Sequence, residues 1–158
     1  MATTQMVQYL GTAQTTGLGV SAPVGGSTGD RSQVETFLAG AAITAGDFVV
    51  FDTSKTGANR VLYVIQSPAT AGQSIVVGVA LNSATAADQK VDVVVSGYVA
   101  SANVVTGVLK GESITTSGAT AGRCLKYATG THTNAGPIGV ALEDAAANVA
   151  ACWIFKHF

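Results

Sequence analysis

The chain has 158 residues, 8 basic and 9 acidic side chains and a formal net charge of -1, with 47% hydrophobic but only 11% charged residues against a usual share of about 25%. Near-neutrality without a basic cluster removes the counterion-release term on which nucleic-acid binding depends, so neither DNA nor RNA is an expected partner. The length suits one domain with a true core, and the low charge leaves a surface poorly protected against association.

Residues 1 to 42 are dominated by Ala, Thr, Gly, Ser and Gln, and their scattered Tyr9, Leu10, Val20, Val24, Phe37 and Leu38 follow neither the helix nor the strand period. This composition predicts an extended N-terminal arm that orders only against a partner. The first basic residue is Arg31 and residues 1 to 16 hold no apolar run, so neither region of a secretory leader is present and the chain is expected to stay in the cytoplasm where it is made.

From Ile43 the pattern turns to short β-branched and aromatic runs bounded by Gly, Ser, Thr, Asn and Asp. Candidate strands are 47–52, 60–66, 75–81, 91–99, 104–110, 123–128, 138–142 and 149–158. About eight short strands in one domain, 43 to 158, predict an all-β fold, a compact sandwich or barrel. In the fourth run, Val91, Val93, Val95 and Val99 fall on one face, with Asp92, Ser96 and Tyr98 on the other. In the last, Val149, Ala151, Trp153 and Phe155 share a face, yet Cys152, Ile154 and Phe158 lie opposite, which requires a central strand or an edge buried by another chain. The charge-free stretch 93–109 is too short and too polar for a membrane span.

Two halves, about 43–99 and 107–158, repeat one order of elements. Gly46-Asp47 and Gly111-Glu112 each precede a strand, and GVAL recurs at Gly78 to Leu81 and Gly139 to Leu142, each time before an Ala-rich turn and another strand. The glycines of both GVAL motifs predict a bulge or a close approach of backbones.

Chemistry-bearing constellations are sparse. GLGVSA (Gly17, Gly19, Ala22) fits the dinucleotide fingerprint in letters, but no strand precedes it and Pro23 follows where a helix would start, so no cofactor is expected. His132 lies in a polar turn and His157 next to the last residue, and neither is placed to serve a nucleophile. Cys124, His132, Cys152 and His157 lack the paired short spacing of a zinc site, and the acids Glu143 and Asp144 are neighbours that point apart, so no metal or catalytic residue is assigned. Two cysteines leave one disulfide open; the default is two reduced, packed thiols.

What stands out is apolar: Tyr9, Leu10, Phe37 and Leu38 in the arm, and Trp153, Phe155 and Phe158 near the end. Either Trp153 and Phe155 fill the core, or members of this set anchor an interface, where Trp, Tyr and Phe are enriched.

The run from Gly111 to Phe155, and within it Ile138, Gly139, Val140, Ala141, Leu142, Glu143 and Asp144, resembles the head decoration (cement) proteins of tailed bacteriophages. The upstream half, where Asn82-Ser83 replaces the acid pair, matches less closely. The resemblance implies a non-enzymatic virion protein on the capsid exterior, often trimeric, that binds the major capsid protein and bridges capsomers. Another virion component (tail, fibre or minor capsid module) or a non-catalytic ligand- or carbohydrate-binding β module is the alternative.

Overall fold

The computed structural model describes residues 32–70, 76–129 and 136–155. Their strands are β1 (Ser32–Ala39), β2 (Phe48–Phe51), β3 (Tyr63–Gln66), β4 (Val76–Ala80), β5 (Lys90–Asn103), β6 (Ser113–Thr116), β7 (Cys124–Lys126), β8 (Gly139–Ala141) and β9 (Val149–Ile154), with one 3-10 turn at Gly57–Val61. They form a nine-stranded sheet in the order β1-β3-β2-β4-β5-β9-β8-β6-β7, and a further β1–β5 pairing closes the first five into a barrel. All pairings between these strands are antiparallel except β1–β3. The all-β expectation holds. Among the described residues no helix is long and apolar enough to cross a membrane.

The repeat is written into the sheet order: β3-β2-β4-β5 is followed by its reverse, β9-β8-β6-β7. It holds bond by bond. Gly46 N–H donates to Ala80 O and Ala80 N–H to Asp47 O; in the second half Gly111 N–H donates to Ala141 O and Ala141 N–H to Glu112 O. Thr44 N–H reaches the Asp47 carboxylate as Leu109 N–H reaches that of Glu112. The first residue after each GVAL closes the turn alike, Asn82 Oδ1 accepting from Asp92 N–H and Glu143 Oε1 from Ala151 N–H, both at 2.7 Å. Gly46 and Gly111 adopt φ of +89° and +82°, a region glycine enters without penalty.

The halves differ in what covers them. In the first, β2, β4 and β5 are buried on both faces: Val49, Val77, Ala80, Val91, Val93 and Val95 fill the barrel with Phe37 and Ala39 of β1, while Phe48, Val50, Val76, Val79 and Val94 point outward into a second core. The other wall of that second core is the inner face of the second half, with Ile114, Ile138, Ala141, Ala150, Cys152 and Ile154. The second half thus lies over the barrel, and among the described residues no further strand layer covers its own outer face.

Gly122 (φ +71°) ties the halves together. Its carbonyl accepts from Phe48 N–H and its N–H donates to Ser67 O. Beside it the buried Asp47 carboxylate accepts from Thr44 N–H, Gln66 Nε2 and Asn103 Nδ2, each at 2.8 Å.

Several expectations are corrected. Residues 32–39, read as part of the arm, form β1, whose Phe37 is 7% exposed inside the barrel and packs edge-on against Phe51 at 6.1 Å; Phe37 is therefore a core residue and not an interface anchor. Val99 does not share a face with Val91, Val93 and Val95 but joins the second core, because the ladder to β1 skips Val95 and Gly97 (φ +105°) resets the alternation. Residues 104–110 make only a bridge from Val104 to Cys124 before a turn at Gly107 (φ +101°), whereas β6, absent from the candidates, is a strand. Residues 60 and 61 belong to the 3-10 turn, leaving β3 shorter than expected.

Both GVAL glycines are sites of close approach. A Cβ on Gly78 would overlap the Val94 carbonyl, and one on Gly139 the Trp153 carbonyl, while Val77 is skipped in the β2–β4 register beside Gly78. Gly78→Ala and Gly139→Ala are each expected to cost about 1–3 kcal/mol, the range for overpacking, and Gly136→Ala, where a Cβ meets nothing within 4 Å, to be neutral; thermal unfolding followed by circular dichroism checks this. Phe37→Ala is expected to destabilise by about 3–5 kcal/mol, as for a buried Phe, measured by urea unfolding; a change below 1 kcal/mol would contradict its place in the barrel.

Candidate interaction surface

The outer face of the second half is assembled by strand register. Tyr98 of β5 lies opposite Trp153 of β9, Trp153 opposite Val140 of β8, and Val140 opposite Ser113 of β6. Alternation along β9 sends Ala150, Cys152 and Ile154 into the core and turns Val149, Trp153 and Phe155 outward. Trp153 is 37% and Phe155 38% exposed, large values for side chains of this apolar character. Tyr98 and Trp153 are direct cross-strand neighbours on this face.

On the far side of Tyr98 the face runs into a shallow groove of about 170 Å³ lined by Ser32, Val34, Leu81, Val94, Tyr98, Val99 and Ala100. Val34 and Leu81 stand half-exposed on its rim, and the buried Val94 and Val99 belong to the second core. No residue of the groove or of the row from Tyr98 to Ser113 is charged. Such a surface binds by shape and desolvation, worth about 25 cal/mol per Å² of apolar area covered.

Three titratable groups are shifted by their surroundings. Glu112 lies below the usual carboxylate range, first because Leu109 N–H bonds it and then because of the Lys126 ammonium, with which it forms an ion pair. Tyr63 is raised by its hydrogen bond to Asp88. Cys124 and Cys152 are buried free thiols in the second core, and burial followed by the neighbouring Cys152 thiol pushes Cys124 well above its ordinary value, which leaves it protonated and a poor nucleophile. Among the described residues no group of three or more His, Cys, Asp or Glu is gathered as metal ligands would be.

Of the residues singled out in the sequence, Trp153 and Phe155 are brought together on this face and do not fill the core. Leu38 is half-buried on β1, opposite Tyr63 and Lys90, and Phe37 is inside the barrel. Tyr9, Leu10 and Phe158, like His132 and His157, lie outside the described residues. Sequence reasoning missed Tyr98, Val34, Leu81 and Val140 as members of the surface. Tyr98 had a signal, an aromatic on the polar side of an alternating strand.

No family model matches the chain, and no curated protein matches it. Among solved structures, the N base of the head fiber protein gp8.5 of bacteriophage phi29 is similar, with a TM-score of 0.55 at 16% identity over 78% of this chain and 93% of that one. The two chains share a fold.

Proposed function

We propose that this chain is a structural component of a bacteriophage virion, working by contact and not by catalysis. In this reading it binds the major capsid protein on the outer surface of the shell, as a homo-oligomer with a trimer favoured, and bridges neighbouring capsomers. The observation that carries the reading is the likeness of fold to a phage head fiber base. The charge-free aromatic face supports it, since a flat apolar patch suits attachment to a protein lattice. Each copy adds a modest contact, and many copies on one shell act together through effective concentration. A second reading, a fibre module anchored at fewer positions, is favoured equally by the same neighbour, which is the base of a head fiber.

Copy number separates the two. Quantitative mass spectrometry of purified source particles is expected to give about as many copies as three-fold and quasi-three-fold positions accommodate, a ratio of order one to the shell protein. A handful of copies selects the fibre reading, and absence from particles overturns both. Trp153→Ala is expected to weaken particle binding by about 30-fold, the effect of an interfacial hot spot of about 2 kcal/mol, with the fold retained by circular dichroism although the thermal transition falls, since more than half of the side chain is buried. Unchanged binding in a co-sedimentation assay would remove this face from the attachment site.

A further inference from the structure

The repeat that orders the sheet also matches the two cysteines to a pair of valines. Val104, the residue after β5, bridges Cys124 in parallel and Val105 N–H donates to Cys124 O; in the first half Ala39 of β1 pairs in parallel with Val64 and Gly40 N–H donates to Val64 O, both bonds at 2.8 Å. Cys124 lies opposite Thr116 as Val64 lies opposite Phe51. Cys152 lies opposite Ala141 as Val93 lies opposite Ala80. Cys124 and Cys152 are therefore the second half's Val64 and Val93, and the Val104 bridge brings β7 back beside β5, closing the second half into a ring. Val64 and Val93 both fill the first barrel; the cysteines are fully buried together in the second core, with their thiols in hydrogen-bond contact. Other matched positions exchange one aliphatic side chain for another, Val49 for Ile114, Val77 for Ile138 and Val95 for Ile154. These two bring a chemistry that valine lacks, and they are the two cysteines of the chain.

We propose that Cys124 and Cys152 form a disulfide site, open while the chain is in a reducing cytoplasm and closed by a low-molecular-weight disulfide such as oxidised glutathione. In the closed fold neither sulfur meets the oxidant, since neither side chain is exposed. β7 supplies access: it is three residues long, stands last in the sheet order and is tied to the chain after β5 by the Val104 bridge, so it opens at lower cost than the strands around it. When it opens, Cys124 returns to water, loses its proton and attacks one sulfur of the small disulfide; that S–S bond breaks, and one small thiolate leaves with the electron pair and takes up a proton. On reclosure the Cys152 sulfur gives up its proton and attacks Cys124 Sγ, releasing the second small thiol. The protein has lost two protons and two electrons, and the small disulfide has become two thiols. The new bond ties β7 to β9 across the interior, so the strand that admitted the oxidant no longer opens. The site depends only on the interior of the second half and stands or falls apart from the virion reading.

The full chain, reduced and then freed of reductant, is incubated with oxidised glutathione and followed by intact mass and by thiol titration in denaturant. Expected are the loss of both thiols with no added glutathione, and a monomeric product whose peptide map joins Cys124 to Cys152. Its thermal transition is expected to rise by roughly 5–10 °C, as for a bridge closing a loop of about 30 residues, and to fall back with dithiothreitol. Cys124→Val with Cys152→Val, which places the first half's residues at both positions, is expected to fold alike by circular dichroism and to show no shift with either reagent. If the native chain does not react, refolding it from urea in the same oxidant removes the need for opening, and the bridged product is expected to regain native circular dichroism and the higher transition. Glutathione retained on one cysteine, a bridge between two chains, thiols still free after refolding, or a bridge that lowers the thermal transition each overturns the proposal.

Discussion

Everything in this molecule follows from the two-sided burial of β2, β4 and β5. Strands apolar on both faces cannot stand at a surface, and a single half-repeat offers only one layer. Two different solutions meet on them. Inside, β1 joins β3 to β5 and closes a barrel around Val49, Val93 and Val95. Outside, the second half lays Ile114, Cys152 and Ile154 over Phe48, Val79 and Val94. Among the described residues the second half has one partner layer, and its far side carries the exposed Val149, Trp153 and Phe155.

The repeat makes this asymmetry visible position by position. Phe48, Val79 and Val94 of the first half correspond to Ser113, Val140 and Trp153 of the second by the matched ladders, yet the first three are buried and the latter three lie on the open face. The same backbone plan thus presents a buried internal face in one half and an exposed one in the other. The Gly-acid turns have diverged in the same sense. Asp47 is buried and binds across to Gln66 and Asn103, while Glu112 pairs with Lys126 at the surface.

Much of the fold was legible in the residues, for physical reasons that also mark where legibility ended. The β-branched runs, the Gly-acid turns and the two GVAL motifs report local chemistry and recur in the sheet as the repeat implies. β1 was hidden because its apolar residues are split between two faces, Val34 and Leu38 on the outer and Phe37 and Ala39 on the inner, so the apolar letters of SQVETFLA show no alternation. β6 was hidden because its Thr115 and Thr116, polar in letters, are buried. The face of Val99 could not follow from parity once Gly97 entered the left-handed region. For Trp153 the alternation gave the correct face, but which face a second layer would cover is a tertiary fact that no single strand encodes.

The position of β5 has a consequence for how the molecule opens. This one strand pairs with β1, β4 and β9 and sends side chains into both cores. Neither half retains its core if β5 is withdrawn, so neither half is a separate cooperative unit, and local opening confined to one of them reaches only peripheral strands such as β7. The amides of β5 at Val93 and Val94, which lie between β1 and β4, exchange with solvent only when the whole sheet comes apart, and two halves alike in plan unfold as a single body.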